Sequence, residues 1–327
     1  MNKCLSLVLL ALISGCVCSD ACKKTSCGSI AGNYGLEFEF DNYKAGHMIL
    51  GYNEKGEPTA KTLVRWSSPE WCEKVKFDGN SFSFYQPKAR WSFEGKICGD
   101  KLCGKMSRQY KDKKGQLIKE EKPFKGWKNP PVEKGVKISD AKFGEPIDLL
   151  ADGLDGWEPK EKGEEYVSGW SFKDGVLSNR INRKQRVKQA NLLTKRSDFM
   201  DFKLSYDVRV PKKCNSGVFL RGRYEIQVID SYGKGLDSHN MAAFYGRITP
   251  SVAAEKPAGE WQHVDVTLYR RHVTIVLNGK TIIDNQPVEG VTGGAIDANE
   301  FVAGPMYLQG DHSDADFKNM ILTPIIK

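Results

Sequence analysis

Short runs in which apolar and polar residues alternate, separated by turn residues, make up most of the chain after residue 33. Alternation with a period of two is typical of a β-strand that buries one face. In the first part of the chain such runs lie at Leu36–Phe40, Lys61–Trp66, Val75–Phe77, Phe82–Tyr85, Trp91–Ile97 and Leu102–Met106. Their short length and regular spacing predict a small β-meander or half-barrel domain over residues 33–110.

The second half of the chain has the same pattern. Residues 111–135 are rich in charge and contain Pro130-Pro131, which predicts a linker over residues 111–142. Beyond it, Lys173-Asp174-Gly175 and Asn278-Gly279 are hairpin signals. An all-β chain with these turns predicts a two-sheet sandwich or jelly roll over residues 143–327.

The first fifteen residues are typical of a targeting segment. Lys3 precedes the apolar run Leu5–Ile13, which is too short to span a bilayer as a permanent helix. Ile13-Ser14-Gly15-Cys16 then matches a bacterial lipobox. We therefore predict a lipoprotein signal peptide over residues 1–15, lipidation of Cys16 and a tether over residues 16–32. An ordinary secretory signal is the alternative.

A lipid on Cys16 would anchor the protein to a membrane in the bacterial cell envelope. The outer membrane is favoured because Val17, and not an aspartate, follows the cysteine. The formal net charge of +8 is modest for 327 residues, and no basic stripe interleaves with aromatic residues. A nucleic-acid partner is therefore not expected.

Nine cysteines are many for a bacterial enzyme, and outside the cytoplasm they favour disulfides. Cys98 and Cys103 flank Gly99-Asp100-Lys101-Leu102, so they could face each other across a hairpin turn. The pairing stays open for the other cysteines of the mature chain, which are Cys18, Cys22, Cys27, Cys72 and Cys214.

The strongest candidate site lies in Asn215–Gly233, where two strand-like runs carry many polar groups. Along the second run Glu225 and Gln227 share a face, and a bulge after Gln227 would bring Asp230 onto that face. Laminarinase-like glucanases of the concanavalin A fold use Glu, Asp and Glu on a similar strand. Here the middle residue is an amide, which argues against ordinary retaining hydrolysis. A structural ladder of ion pairs is the alternative interpretation of this strand.

The chain resembles the 3-keto-disaccharide hydrolase family. The resemblance rests on Asn215–Gly222 and Tyr224–Ser231, and on further segments in the same order along the chain: Asp152–Trp157, Trp170–Leu177, Phe199–Val210, Pro257–Gln262, Val273–Lys280, Gly304–Gln309, Asp311-His312 and Phe317–Asn319. It covers residues 143–327. It implies a concanavalin A-like, laminin-G-like jelly roll, and cleavage of glycosides already oxidised to a ketone at C3.

The implied chemistry is removal of the C2 proton, elimination of the C1 leaving group through an enolate, and hydration. We assign Glu225 as base or acid, Asp230 as its partner, and Arg221 or Arg223 as the enolate stabiliser. The predicted substrate-binding residues are Asn215, Gln227, Gln309, His312, Trp261 and Tyr245. A divalent metal held by Glu225, Asp230 and His312 is left open, and no other cofactor is expected.

Three functions therefore compete. The first is an enzyme that cleaves 3-keto-glycosides supplied by a partner sugar 3-oxidoreductase. The second is a non-catalytic carbohydrate-binding lipoprotein, because this fold often serves as a binding module. The third is an ordinary retaining glycosidase.

Overall fold

The computed structural model describes residues 29–181 and 187–326. The predictions for the signal peptide, for lipidation of Cys16 and for Cys18, Cys22 and Cys27 lie outside the described residues. Within the described ranges the protein is built from β-strands, with short 3-10 turns at Ile138–Asp140 and Gly153–Gly156 and no α-helix. None of the helical turns in those ranges has the length and apolar character needed to cross a membrane.

The N-terminal part is one antiparallel sheet, which we call the barrel. Its strands are β1 (Gly32–Phe38), β2 (Ala45–Tyr52), β3 (Pro58–Val64), β4 (Glu70–Trp71), β5 (Glu73–Asp78), β6 (Ser81–Gln86), β7 (Trp91–Cys98), β8 (Lys101–Lys111) and β9 (Leu117–Lys128). Their order is β4-β3-β2-β1-β9-β8-β7-β6-β5. Because β3 also contacts β5, the two edges of the sheet approach each other. The interior is aromatic, with Phe38, Phe93 and Phe124 in edge or tilted contact.

The barrel extends beyond the boundary predicted from the sequence. Residues 117–128 were placed in the predicted linker, but they form β9 and pair with both β8 and β1. The outer end of the β8–β9 hairpin is held by pairs of opposite charge, such as Arg108–Glu120 at 2.6 Å and Lys105–Glu121 at 3.0 Å. A ladder of this kind stabilises a hairpin without the alternation of apolar residues that marks a strand in sequence.

The C-terminal part is a sandwich of two antiparallel sheets. Its strands are β10 (Lys142–Phe143), β11 (Ile147–Asp148), β12 (Trp157–Pro159), β13 (Tyr166–Val167), β14 (Trp170–Lys173), β15 (Val176–Asn179), β16 (Lys188–Gln189), β17 (Leu192–Thr194), β18 (Phe202–Arg209), β19 (Asn215–Leu220), β20 (Tyr224–Ile229), β21 (Gln262–Tyr269), β22 (His272–Leu277), β23 (Lys280–Pro287), β24 (Tyr307–Leu308) and β25 (Ala315–Ile326). The outer sheet runs β14-β15-β25-β18-β21-β22-β23, with β10 and β11 also pairing with β25. The inner sheet runs β12-β17-β24-β19-β20, and β13 pairs with β16 separately.

One apolar core joins the two sheets of the sandwich. Leu204 and Tyr206 of β18 and Val266 of β21 pack in it with Val218 of β19 and Ile226 of β20. The predicted all-β fold, a jelly-roll sandwich with a smaller β-meander or half-barrel before it, is confirmed. The predicted hairpins at Asp174-Gly175 and Asn278-Gly279 also form, and all four of these residues have positive φ as a type I′ turn requires.

Cys98 and Cys103 lie on the predicted hairpin between β7 and β8, and both take part in disulfide bonds. In the strand register Cys98 is opposite Lys101 and Cys103 is opposite Lys96. Cys72 and Cys214 are free thiols.

The barrel and the sandwich are in direct contact. Ala45 and Trp127 of the barrel pack against Val291, Ala295 and Ala298 of the sandwich. Beside them, the buried carboxylate of Glu300 accepts hydrogen bonds from Asn129 Nδ2 at 2.7 Å and from the Tyr224 hydroxyl at 2.9 Å. These contacts hold one end of the barrel against β20 and against the segment between β23 and β24.

Candidate active site

Glu225 is the second residue of β20 and lies on the face directed away from the sandwich core. Its neighbours Tyr224 and Ile226 are core residues, and side chains alternate along a strand. On the adjacent strand β19, Phe219 is opposite Glu225 and Gly217 is opposite Gln227. A Cβ at Gly217 would overlap Oε1 of Glu225 and lie 3.0 Å from its Cδ and Cγ. The absent side chain of Gly217 therefore leaves the space that the Glu225 carboxyl occupies.

A cavity of about 320 Å³ opens above this carboxyl, at the junction of the two parts of the protein. The sandwich and its loops supply most of the wall, and the barrel supplies two aromatic side chains. The lining residues are Tyr43, Trp66, Asn215, Glu225, Tyr245, Gly293, Gly294, Gln309, Asp311 and His312. Five of the residues predicted from the sequence are therefore brought together, namely Asn215, Glu225, Tyr245, Gln309 and His312.

The environment of Glu225 favours its protonated form. Only 4% of the residue is exposed, and burial raises the pKa of its carboxyl well above the usual range. The negative charge of Asp311 raises this pKa further. Among the described residues, no side chain or backbone group forms a hydrogen bond with the carboxyl oxygens of Glu225. A carboxyl of this kind keeps its proton to higher pH than an exposed one, and a raised pKa of this sort is typical of a general acid or base.

Asp311 and His312 form a charged pair at the cavity wall. The Nδ1 atom of His312 donates to Oδ1 of Asp311 at 2.6 Å. This hydrogen bond raises the pKa of His312, although burial opposes the shift. The imidazole is therefore held with a proton on Nδ1, and its protonated form is favoured.

Two amide side chains complete the sandwich side of the cavity. The backbone of Asn215 is fixed by Ser313, whose Oγ accepts from Asn215 N at 2.6 Å. Gln309 is fixed by its backbone N–H, which donates to the carbonyl of Gly217 at 2.9 Å. The amide oxygens of both side chains are buried and have no hydrogen-bond partner among the described residues. Such oxygens fit the hydroxyl groups of a sugar.

Tyr245 is connected to both parts of the protein. Its backbone N–H donates to the carbonyl of Glu225 at 3.0 Å, which places the two residues side by side. Its ring meets that of His239 edge to face with centroids 5.0 Å apart, and Nε2 of His239 lies 2.7 Å from Oγ of Ser68, in the turn between β3 and β4. Burial raises the pKa of Tyr245, and the nearby Glu225 carboxyl adds to this shift.

The barrel forms an aromatic wall of the cavity. The rings of Tyr43 and Trp66 meet edge to face with centroids 5.8 Å apart, and 57% of Trp66 is exposed. The guanidinium of Arg65 lies over the Trp66 ring at 3.9 Å. A Cβ at Gly293 would lie 2.5 Å from the carbonyl oxygen of Trp66, so only glycine allows the sandwich loop to come this close.

Asp230 does not join Glu225 in the cavity. The register between β19 and β20 is continuous from Leu220–Tyr224 to Asn215–Ile229, so the predicted bulge after Gln227 is absent. The carboxylate of Asp230 instead accepts the backbone N–H of Lys213 at 3.0 Å. The predicted pairing of Glu225 with Asp230 is therefore wrong, and Asp311 is the second carboxylate that acts on Glu225.

The two predicted enolate stabilisers, Arg221 and Arg223, do not line the cavity. Arg223 makes a bidentate ion pair with Asp297, at 2.8 and 2.6 Å, and also donates to the carbonyl of Arg221. Arg221 is 1% exposed, and its Nη1 lies 3.2 Å from the sulfur of Met200. Neither guanidinium lines the cavity, because the chain turns at Arg221-Gly222 before β20 begins.

Two predicted sugar-binding residues also lie elsewhere. Gln227 shares a strand face with Glu225, but its side-chain oxygen accepts the backbone N–H of Val228 at 2.9 Å and it does not line the cavity. Trp261 precedes β21 of the outer sheet, where Lys318 lies 4.3 Å and Arg209 4.7 Å from its ring centroid. Trp261 is therefore a surface residue of the other sheet.

The described residues contain no group of three or more His, Cys, Asp or Glu side chains placed to hold a metal ion. The three predicted ligands are divided, because Asp230 lies outside the cavity that Glu225 and His312 line. The residues present therefore do not fit the metal site that we left open from the sequence, and the proposed reaction does not use a metal ion.

Two solved structures are similar to this chain over half or more of its length. A structure from Parabacteroides distasonis, a glycosyl hydrolase by provisional assignment, is 24% identical, with a TM-score of 0.44 over 59% of this chain and 99% of its own. A carbohydrate-binding module from Bacillus subtilis is 16% identical, with a TM-score of 0.33 over 50% of this chain and 93% of its own. No curated protein sequence matches the chain.

The model of one family, described as the 3-keto-alpha-glucoside-1,2-lyase-like domain, matches residues 146–323. The match spans more than half of the chain and contains β11 to β24 together with most of β25. It includes every cavity residue except Tyr43 and Trp66, which the barrel contributes. The resemblance predicted from the sequence is therefore confirmed, and the chain belongs to the 3-keto-alpha-glucoside-1,2-lyase-like domain family.

Proposed function

We propose that this protein cleaves 3-keto-glycosides by elimination across C1 and C2 of the oxidised sugar, followed by hydration. Membership of the family supports a glycosidase-type enzyme. The observation that carries the proposal is the buried Glu225 carboxyl, which has a raised pKa and opens on the cavity.

A ketone at C3 acidifies the proton at C2. A base removes this proton, and its electron pair forms the enolate of the C3 carbonyl. The electrons then form the C1–C2 double bond as the C1–O bond breaks, and the leaving oxygen takes a proton. Water adds later across the double bond. This route needs one base, one donor for the enolate oxygen and one acid for the leaving group.

The cavity contains one group suited to each role. Glu225 removes the C2 proton, because a carboxylate whose pKa is raised is a stronger base than an exposed one. The hydroxyl of Tyr245, beside Glu225, donates to the enolate oxygen. His312, whose protonated form Asp311 favours, donates a proton to the leaving group.

The state of Asp311 argues against ordinary retaining hydrolysis. That reaction needs one carboxylate as nucleophile and another as acid, both at C1. Asp311 is occupied by its 2.6 Å hydrogen bond with His312, so the cavity presents one carboxyl that has no partner among the described residues. Elimination requires only one carboxyl.

The C3 ketone has to be made by another enzyme, so we also propose a sugar 3-oxidoreductase as the functional partner. Lipid anchoring at Cys16 in the cell envelope stays part of the proposal. It rests on the lipobox Ile13–Cys16.

The test is to incubate the full protein with a glucoside and with its 3-keto derivative, and to follow release of the aglycone. We expect cleavage of the keto form only. Cleavage of the plain glucoside would indicate a retaining glycosidase, and binding without cleavage of either would indicate a carbohydrate-binding protein.

Two variants locate the chemistry. Glu225→Gln removes the base and should lower kcat by at least about a thousandfold. Asp230→Asn changes a carboxylate that follows the same strand but lies outside the cavity, and it should leave kcat within about twofold. Equal activity of the two variants would contradict the assignment of Glu225.

A further inference from the structure

A second cavity, of about 420 Å³, lies beside the first at the junction between the barrel and the sandwich. Tyr43 of the barrel and Asp311 of the sandwich line both cavities, so the two cavities meet at these side chains. The rest of the wall comes mainly from the residues that follow β12 and from β13 and β16. None of the three groups that we assign to the elimination, Glu225, Tyr245 and His312, lines this second cavity.

We propose that the second cavity binds the leaving group of the substrate, and that it takes an uncharged ring with neighbouring hydroxyl groups. This inference rests on the proposed function, because it assigns the cavity to the part of the substrate that departs from C1. A second sugar and a hydroxylated aromatic ring share this chemistry.

The position of the second cavity fits the direction in which the leaving group departs. His312, the proposed acid for the leaving oxygen, lines the first cavity next to Asp311, to which it is hydrogen-bonded at 2.6 Å. Asp311 also lines the second cavity. A substrate whose leaving oxygen lies at His312 therefore has its oxidised ring in the first cavity, and the second cavity is the adjoining space for the leaving group.

Gln189 supplies an unused amide to the second cavity. It lies on β16, opposite Val167 of β13, and is 7% exposed. Both its side-chain oxygen and its side-chain nitrogen are buried and have no hydrogen-bond partner among the described residues. An amide accepts through the oxygen and donates through the nitrogen. Two neighbouring hydroxyl groups would satisfy both atoms at once, which an apolar leaving group cannot do.

The charged side chains that the structure places on this wall already have partners of opposite charge. Lys160 lies 2.8 Å from Glu161, and both side chains are less than 20% exposed. Lys188 lies 3.9 Å from Glu165, and Asp311 has its imidazole partner. A charged leaving group would have to compete with one of these pairs, whereas an uncharged one leaves them intact. The pairing therefore favours an uncharged ligand.

Two tyrosine rings give the second cavity surfaces on which a ring can pack. The ammonium of Lys160 lies 4.8 Å from the ring centroid of Tyr43, and that of Lys188 lies 5.1 Å from the ring centroid of Tyr166. Tyr43 has a φ of +52°, which is uncommon for a residue with a side chain. Such conformations are concentrated at ligand-binding sites, where the surrounding structure holds them. The turn between β1 and β2 thus presents Tyr43 to both cavities.

The test uses four 3-keto-glucosides that differ in the leaving group: a second glucose, a dihydroxyphenyl ring with adjacent hydroxyls, an unsubstituted phenyl ring, and a phenyl ring with a carboxylate. Each is compared between the wild type and Gln189→Leu, so that the reactivity of the leaving group itself cancels. Gln189→Leu should raise KM about tenfold for the two hydroxylated leaving groups, with little change in kcat, because these contacts are remote from the reacting bonds. KM for the unsubstituted phenyl substrate should stay within about twofold.

The matched control is Gln286→Leu, which changes an exposed glutamine of β23 that lines neither cavity and should leave every KM unchanged. A rise in KM for both hydroxylated substrates supports the shared chemistry, and a rise for only one identifies that leaving group as the ligand. An equal rise for the phenyl substrate would overturn the proposal. So would an unchanged KM for all four substrates, or a lower wild-type KM for the carboxylate substrate than for the hydroxylated ones.

Stability and binding measurements separate this inference from the proposed function. Gln189→Leu should have a Tm no lower than that of the wild type, because leucine leaves no buried polar atom unpaired. A lower Tm would show that the amide is paired within the protein and would contradict its role. A wild type that cleaves none of the four substrates contradicts the proposed function. The second cavity is then tested by calorimetric titration with the same compounds, where Gln189→Leu should weaken binding of the hydroxylated ones alone, and equal binding would overturn the assignment.

Discussion

Gly217 is a diagonal neighbour of Glu225 on the adjacent strand, and the carboxyl of Glu225 fills the space in which a side chain at position 217 would lie. Gly217 has no positive φ, so its importance comes from this close approach and not from backbone strain. The position of the proposed base is thus determined by a residue that has no side chain.

We expect Gly217→Ala to displace the Glu225 carboxyl. The added Cβ would overlap Oε1, and the strand beneath it cannot move because Val218 and Ile226 are packed in the core. A displacement of about 1 Å at a reacting group can cost about a hundredfold in rate, so we expect a fall in kcat of about 10- to 100-fold.

The control is Gly51→Ala in β2 of the barrel, where the added Cβ would meet only Oγ1 of Thr59, at 3.6 Å. Its kcat should equal that of the wild type. If Gly217→Ala retained full activity, Glu225 would not need its present position, and its assignment as base would be lost.

The buried Glu225 carboxyl should also reduce the stability of the fold at neutral pH. Its pKa is raised in the folded state, so the folded protein binds the proton more tightly than the unfolded chain. Stability from this group is fully present below the ordinary glutamate pKa of about 4.3 and is lost as pH rises through the folded-state pKa. The Glu225→Gln substitution removes this loss of folding stability, because the amide does not ionise.

The Gln variant should therefore have a higher Tm than the wild type at pH 8, and the difference should vanish near pH 4. For a protein of this size each kcal/mol corresponds to roughly 2–4 °C. Thermal unfolding at both pH values measures this difference, with Asp230→Asn, a change of a half-buried carboxylate outside the cavity, as the control. A constant difference between the two proteins at every pH would show that Glu225 is not perturbed.

Local features of this fold could be predicted from the sequence, and contacts between distant segments could not. The hairpins at Asp174-Gly175 and Asn278-Gly279 are determined by the φ preferences of adjacent residues. The cavity joins Trp66 of the barrel to residues such as Gly293 of the sandwich, more than two hundred positions later. The pattern of apolar and polar residues within either segment does not predict that contact.

The errors in the predicted site have the same origin. Arg223 and Asp230 are close to Glu225 in sequence, but Arg223 turns to Asp297 and Asp230 to the Lys213 backbone. Asp311 had a usable signal, since it precedes His312 in a polar turn after an apolar strand. Its effect on Glu225 depends on how β24 is placed beside β19, which the sequence pattern does not determine.

Asp311→Asn should shift both sides of the pH–rate profile to lower pH. Asp311 raises the pKa of Glu225 and also that of His312, so its neutral replacement lowers both. The base then ionises at lower pH and the acid loses its proton at lower pH. The measurement is kcat/KM on the 3-keto-glycoside across the pH range. If only one side of the profile moved, Asp311 would act on only one of the two residues, and the predicted effect on the other would be wrong.

Trp66 should contribute to substrate binding through its exposed ring. The side chain lines the cavity from the barrel side, next to Tyr43, and a sugar ring or an apolar aglycone can pack on such a face. Trp66→Ala should raise KM about tenfold with little change in kcat, because contacts with a non-reacting part of the substrate act equally on the ground and transition states.

Trp71→Ala is the matched control, since Trp71 is also an exposed tryptophan of the barrel, at 62%, and does not line the cavity. If both variants changed KM equally, or if neither did, the aromatic wall would have no part in recognition.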